Sequence, residues 1–511
     1  MEIQVSSVWR HIRRRLVVAN SVCIVWWLAS GSLLGADEFT PSRKLPPPVL
    51  REMRGVWVAS IGNIDWPSTN SLSSSAEQKA ELCALLDRAV ELKLNTILFQ
   101  VRPSCDALYS STLEPWSEYL TGTMGRPPEP LYDPLSFAIA EAHRRGLELH
   151  AWFNPFRARH LIAKSPLAPN HISRTHPEWV VHYGKSLWLD PGQKGVQQYS
   201  QKVILDVVRR YDIDGVHLDD YFYPYKEQDG SGHDLEFQDW SSWRRYGAGR
   251  HLSRDDWRRE NVNAFVHDLY QSIKATKPWV KFGISPFGIW RPGNPPQIKG
   301  LDAFEVLHAD SRKWLAEGWV DYLAPQLYWA VSPPETSFPV LLNWWAQQNP
   351  RGRLLCPGLR SYNVGRSWPT EEILTQIQLS RKQSGVSGHV HWNMKTLMRN
   401  GALDTALERD AYSEPALVPA TPWLGRNTPA RPELGLQSER DGVTLKWTVA
   451  TTQSVQWWLV QSQTRGKWTT QLLPGSTRSL RLPQTRPEVV ALTCVDHYGN
   501  TSPAYVLEAN R

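Results

Sequence analysis

The sequence predicts an α/β architecture: a (β/α)8 TIM barrel followed by a small all-β sandwich. From residue 51 to 410, short apolar runs alternate with amphipathic stretches through eight rounds, the pattern of a closed parallel barrel. Polar and aromatic residues gather at the same end of most of these runs. Past a Pro-rich stretch that begins near residue 412, helical spacing gives way to short alternating runs, as in a β-sandwich.

Local spacing places each element. Strands are expected at 54–60, 95–102, 147–154, 215–222, 281–288, 322–329, 353–360 and 388–393, and helices at 76–92, 133–145, 195–210, 255–275, 310–317, 338–347, 371–383 and 395–407. In the helix at 195–210, Val203, Leu205, Val207 and Val208 precede an Arg209, Arg210 stop, the spacing and ending of an amphipathic helix. The loops at 103–132, 155–194 and 223–254 are long and lie on one rim, where such loops build a cleft. Their Tyr109, Trp116, Tyr119, Trp179, Tyr183 and Trp188 suit subsites for an extended polymer. Pro415, Pro419, Pro422 and Pro429 mark a linker over 411–430. The remainder, 431–511, carries short runs at 443–449, 456–461, 468–472, 479–482, 488–495 and 504–507, which predict a fibronectin type III-like sandwich. Spacing or binding is its expected job, with a cell-envelope protein as candidate partner.

Residues 1–36 read as a signal peptide and 37–50 as a Pro-rich joint. Arg10, Arg13, Arg14 and Arg15 form the basic region, residues 16–34 the apolar stretch, and Gly35 and Ala36 the small-residue cleavage site. The stretch carries Asn20, Ser21, Ser30 and Ser32 and no basic stop follows it, so cleavage is expected rather than a membrane anchor, and Cys23 has no lipobox before it. The mature chain is therefore expected to be periplasmic or secreted, without stable membrane insertion. Cys83, Cys105, Cys356 and Cys494 remain; a Cys83–Cys105 disulfide and four buried thiols are both compatible with that spacing. With no HExxH and no Cys/His cluster, neither a metal nor another cofactor is expected. Net charge is +7, which suits an anionic polymer such as peptidoglycan or a membrane surface. Lys and Arg are spread rather than clustered on one motif, so nucleic acid is not an expected partner. The 26 Trp suggest that several line a carbohydrate groove.

DGVHLDDYFYPY (214–225) concentrates the chemistry. On a strand Asp214, Val216, Leu218 and Asp220 share one face, and Gly215, His217, Asp219 and Tyr221 the other. At least one of Asp219 and Asp220 must then enter whatever the strand end lines. Two adjacent carboxylates are costly to hold ionised together, which favours a shared proton or a raised pKa. Tyr221, Phe222, Tyr223 and Tyr225 supply rings for a sugar to stack on. The other strand ends add candidates: Arg102 and Arg157 for substrate carboxylates or for salt bridges to an acid within the barrel, Asn154, Gln326, His391 and Asn393 for sugar hydroxyls or for orienting the aspartates, and Trp152, Trp290, Trp329 and Trp392 for stacking or for core packing.

RGVWVAS (54–60), NTILFQVRP (95–103), AWFNPFR (151–157), DGVHLDDYFYP (214–224), FGISPFGIWR (282–291) and DYLAPQLYW (321–329) together resemble the glycosyl hydrolase-like 10 family of exported bacterial proteins. The resemblance spans about residues 51–400. It implies a TIM barrel and, as substrate, peptidoglycan glycan strands stripped of their stem peptides. A looser similarity is to chitinase-type family 18 barrels with a DGxDxDxE strand. Here Tyr221 stands where that pattern has its catalytic Glu, and Asp220 lies one residue earlier.

Hydrolysis by two carboxylates needs a second acid, and strands six and seven end without one. Three routes are open: both acids come from strand four, a loop carboxylate (Asp190, Glu305 or Asp310) supplies the partner, or the substrate's 2-acetamido group is the nucleophile, with Tyr328 as hydrogen-bonding helper. Asp190 is alternatively the N-cap of the helix that follows. A glycan-binding protein without turnover, and a hydrolase of another exopolysaccharide, are the competing expectations.

Overall fold

The computed structural model describes residues 39–399, 401–439, 442–449, 455–482 and 486–510, so the expected signal peptide, with Cys23, lies outside the described residues. All eight expected barrel strands form: β1 (Met53–Val58), β2 (Thr96–Arg102), β3 (Glu148–Phe153), β4 (Gly215–Leu218), β5 (Lys281–Ile284), β6 (Tyr322–Leu323), β7 and β8 (Gly388–His391). β7 is two pieces, Leu354–Leu355 and Gly358–Leu359, parted by Cys356 and Pro357. The first piece pairs with β6 and the second with β8, which closes the ring. β4, β5 and β6 stop short of their expected ends. Pro286 and Pro325 lie just beyond β5 and β6, and a proline cannot donate to the ladder.

Helices α1 (Ser75–Glu91), α2 (Pro134–Arg144), α3 (Lys194–Arg210), α4 (Arg254–Thr276), α5 (Ser311–Glu317), α6 (Phe338–Gln347) and α7 (Thr370–Lys382) cover the strands. Ser74, Asp133, Ser253 and Asp310 start four of them by accepting a backbone N–H from the first turn, which satisfies an otherwise orphaned donor. The eighth helix, expected as one piece, is broken into Met394–Leu397 and Ala402–Ala406, the latter widening into the turn Leu407–Ala411. Gly401 sits at the break, where a poor helix former interrupts the run.

A polar column occupies the middle of the barrel. Trp57 Nε1 donates to His217 Nε2 at 3.1 Å. An indole N–H is only a donor, so that nitrogen must be the unprotonated one. His217 Nδ1–H therefore donates to Tyr322 Oη at 2.9 Å, and Tyr322 in turn donates to His150 Nδ1 at 2.9 Å. His150 Nε2–H reaches Glu148 at 3.2 Å, and Glu148 pairs with Lys281 at 3.0 Å. Burial holds His217 well below the usual histidine range, in keeping with a neutral ring. Two glycines leave room for the column. A Cβ on Gly215 would lie 2.6 Å from the His150 ring, and one on Gly283 1.9 Å from that of Tyr322.

The C-terminal module is two antiparallel sheets. One holds Glu433–Glu439, Gly442–Thr448 and Ser479–Leu482. The other orders Lys467–Pro474, Trp457–Thr464, Val489–Val495 and Tyr505–Ala509. The strand Glu433–Glu439 was not among those expected. Nor was Phe39–Pro41, which adds to the edge beside Tyr505–Ala509 although it lies in the stretch read as a joint. The stretch read as a linker is also tied down: Ala416–Leu417 pairs with Leu50–Arg51, and Arg54 donates to the Glu414 carbonyl at 2.7 Å. The sandwich docks where the barrel strands begin. Gln456 donates to Asp214, just before β4, and Trp457 meets His143 edge-on at 5.8 Å. The opposite mouth is left open.

Gly283→Ala is expected to displace the Tyr322 ring and cost about 1–3 kcal/mol, the usual price of overpacking a core, measured by urea unfolding of the whole protein.

Candidate active site

β4 ends at Leu218, and the next two residues place both carboxylates in the open mouth. Asp219 and Asp220 are each 3% exposed. Trp152 Nε1 donates to Asp219 at 3.1 Å, and Asn154 Nδ2 donates to its two oxygens at 3.0 and 3.2 Å. The Asn154 amide is itself oriented, since its oxygen accepts the Arg157 backbone N–H at 2.7 Å. Asp220 accepts the Tyr225 hydroxyl. Burial pushes Asp219 up to about 6, with Arg157 pulling it down and Asp220 pushing it further up. Burial also raises Asp220, against the Tyr225 hydrogen bond. The Arg157 guanidinium lies 4.2 Å from the centre of the Tyr221 ring, a stacked cation beside the acid pair.

Around the pair is a cavity of about 340 Å³. Trp57, Trp152, Tyr221, Phe287, Tyr328, Trp329 and Trp392 wall it, and Ser285, Gln326 and Arg360 are its other polar lining groups. Of the sequence candidates, Asp219, Asp220, Trp152, Tyr221, Gln326, Tyr328, Trp329 and Trp392 are thus brought together. Asn154 and Arg157 support the pair from behind.

Other candidates are turned away, each for a local reason. The β2–β3 pairing shifts register between Gln100 and Arg102. Arg102 is thereby buried against Glu114 at 2.6 Å, while donating to the Asn154 and Pro155 carbonyls. Tyr223 packs edge-on against His308 and Phe237, at 4.7 and 5.0 Å. Trp290 stacks on Trp344 and donates to Asp310 at 3.1 Å. Asp310 is committed to capping α5, and Glu305 to ion pairs with Arg259 and Arg291. Asp190 accepts from Gly192 N and Ser242, and the cap residue of α3 is Gln193. On β8 it is Val390 that enters the barrel interior, so His391 faces outward, bonded to Ser361 and Tyr412 at 2.7 Å each. Asn393 donates to Asp65 at 3.2 Å and accepts from Thr396, holding its loop.

The loop aromatics are mostly core as well. Tyr109, Tyr119, Tyr183 and Trp188 are buried, and Trp116 and Trp179 are packed partly into the barrel cluster. Cys83, Cys105, Cys356 and Cys494 are all free thiols, so Cys83 and Cys105 are not bridged. Trp57 and Phe287 were missed as lining residues. The alternation of RGVWVAS carried the signal for Trp57, whereas Phe287 lies beyond the end of β5, where alternation no longer fixes direction. Among the described residues no cluster of three or more metal-ligating side chains occurs, and no helix is long and apolar enough to cross a membrane.

A pair of buried acids in an aromatic-walled mouth of a β/α barrel is the equipment of a glycoside hydrolase. The description "Glycosyl hydrolase-like 10" matches residues 52–373. "Glycosyl hydrolase YngK" of Bacillus subtilis is 43% identical over 397 residues, covering 75% of this chain and 76% of that protein. "Glycosyl hydrolase DigH" of Escherichia coli K12 is 36% identical over 384 residues, covering 68% of this chain and 85% of the relative. The protein belongs to the glycosyl hydrolase-like 10 family and is a glycoside hydrolase. Among solved structures, the glycoside hydrolase domain of PgaB (BpsB) from Bordetella bronchiseptica aligns over 71% of this chain and 98% of that domain, with TM-score 0.47 and 12% identity.

Arg102→Met strands Glu114 as a buried, unpaired charge. It is expected to cost about 3–5 kcal/mol of stability, read by chemical unfolding, with KM for substrate unchanged in the fraction that stays folded.

Proposed function

We propose that the protein is exported and cleaves the glycosidic bonds of a cell-wall amino-sugar polymer, namely peptidoglycan glycan strands lacking stem peptides. The observation that carries the mechanism is the composition of the cavity: Asp219 and Asp220 are the only carboxylates among its described lining residues. The loop acids that could have supplied a separate nucleophile are committed elsewhere. A substrate whose sugars bear 2-acetamido groups brings its own nucleophile.

In this reading Asp219, pushed up to about 6, carries the proton that the pair shares. The acetamido oxygen attacks the anomeric carbon while Asp219 protonates the leaving oxygen. Ionised Asp220, held by Tyr225, stabilises the oxazolinium cation, and Tyr328 donates a further hydrogen bond. Asp219 then takes a proton from the water that opens the ring. The net outcome is retention at the anomeric carbon. Rings in the wall of the cavity stack on the sugars at either side of the bond. The fibronectin type III-like module of residues 431–511, docked at the far end of the barrel, leaves the mouth free for a polymer and has its outer surface available to an envelope partner.

Mass spectrometry of peptide-free glycan strands incubated with the mature protein tests this. Fragments are expected from the wild type, and about a 10²-fold or greater loss from Asp219→Asn and from Asp220→Asn. Full activity in either variant refutes the mechanism, and absence of fragments from the wild type refutes the substrate. The pH profile has a definite sign. The protonated form of Asp219 is the working acid, so kcat/KM is expected to fall as pH rises through about 6, provided that Asp220 stays ionised in the working pair.

A further inference from the structure

On one side of the mouth stand arginines that have no ion-pair partner among the described residues. Arg360, at the end of β7, lines the cavity beside Trp392 and is exposed. The chain then turns through Tyr362, whose backbone N–H is bonded to the Trp392 carbonyl at 3.0 Å. The Tyr362 ring is exposed and flanked by two guanidinium groups, with Arg366 Cζ at 4.3 Å and Arg399 Cζ at 5.8 Å from its centre. Arg366 and Arg399 are exposed too. Among the described residues none of these three arginines forms an ion pair. Several other arginines of the barrel, among them Arg102, Arg254, Arg258, Arg259 and Arg381, sit in ion pairs with carboxylates.

We propose that Arg360, Arg366 and Arg399 form a carboxylate-reading rim. It would select a glycan that bears acidic groups along its length over a neutral or amine-bearing amino-sugar polymer. This inference rests on the functional reading above and deepens it by assigning the specificity to named residues. A guanidinium offers paired donors in the geometry of a carboxylate. Cations along one wall of a low-dielectric cleft focus their field into it and draw an anionic chain toward the acid pair. The Tyr362 ring, packed against Arg366 and Arg399, holds their guanidinium groups on this side of the mouth. In stem-free peptidoglycan each muramic residue presents a free lactyl carboxylate, whereas a de-N-acetylated polymer presents ammonium groups, which the rim repels.

Two substrates separate this from the glycosidase reading: peptide-free glycan strands, and the same strands with their carboxylates reduced to alcohols. The wild type is expected to show about a tenfold higher kcat/KM on the carboxylated strands, a margin that shrinks with added salt. In Arg360→Gln/Arg366→Gln/Arg399→Gln the ratio is expected to approach one. The corresponding triple Lys variant, which keeps the charge, is expected to retain most of it. An unchanged ratio in the Gln variant, or no preference in the wild type, overturns the rim while leaving hydrolysis intact. If neither strand is cut, the glycosidase substrate is wrong, and the rim is still decided by affinity electrophoresis of Asp219→Asn/Asp220→Asn on the two strands. Tighter retention by carboxylated strands supports it, and equal retention overturns it.

Discussion

A histidine ring at the centre of a barrel is tolerable only if it is neutral and both nitrogens are satisfied, and the interior of this protein is organised around that requirement at His217. Its Nε2 accepts from Trp57 and its Nδ1 donates to Tyr322. Because the indole can only donate, every hydrogen bond from Trp57 to Glu148 runs in one direction, and the tautomers of His217 and His150 follow. The column ends at Glu148, where Lys281 balances the charge. A ring of eight strands with Gly at 215 and 283 is what gives the two imidazoles and the phenol their space. The active mouth rests on top of this column: Trp57 and Ser285 line the cavity and both bond to His217. Positioning of the cavity floor is therefore inherited from contacts that run down the barrel axis.

Much of this fold was legible because barrel strands and helices announce themselves through local period. The eight strands appear where apolar runs stand between amphipathic helices, and the helix starts at Ser74, Asp133 and Ser253 are marked by the residues that cap them. What was not legible depends on long-range pairing. Phe39–Pro41 becomes a strand only because the edge of Tyr505–Ala509 is free to accept it, and no periodicity in residues 37–50 announces that partner. The break in β7 at Pro357 likewise has meaning only once β6 and β8 are known to claim its two halves.

At the site, legibility followed side-chain parity. Trp152 was readable because it lies within β3, and Asp219 because it directly follows β4 two residues after the inward-facing His217. Arg102 makes the salt bridge rather than a substrate contact because a register shift one residue earlier reverses its direction, and His391 was misread because Val390 takes the interior place beside it. The loop aromatics failed for another reason. A long loop that must cover a barrel rim buries its own rings first, so Tyr109, Tyr119, Tyr183 and Trp188 went to its core before any could serve a substrate. The rings that face the cavity come instead from the strands themselves, Trp57 on β1 and Trp152 on β3, and from the residues that follow β4, β5, β6 and β8.

The acid pair shows why such a site is built from so few charges. Two buried carboxylates one residue apart disfavour double ionisation, and a strong cation in contact would remove the effect by fixing both as anions. Arg157 is close enough to lower both, yet it is spent against the Tyr221 ring rather than in an ion pair with either aspartate. The direct partners of the pair are neutral donors: Trp152 and Asn154 on Asp219, Tyr225 on Asp220. Neutral donors orient a carboxylate without quenching its basicity as a cation does. Asp219 is left near 6, where a carboxyl group can both give up a proton and take one back.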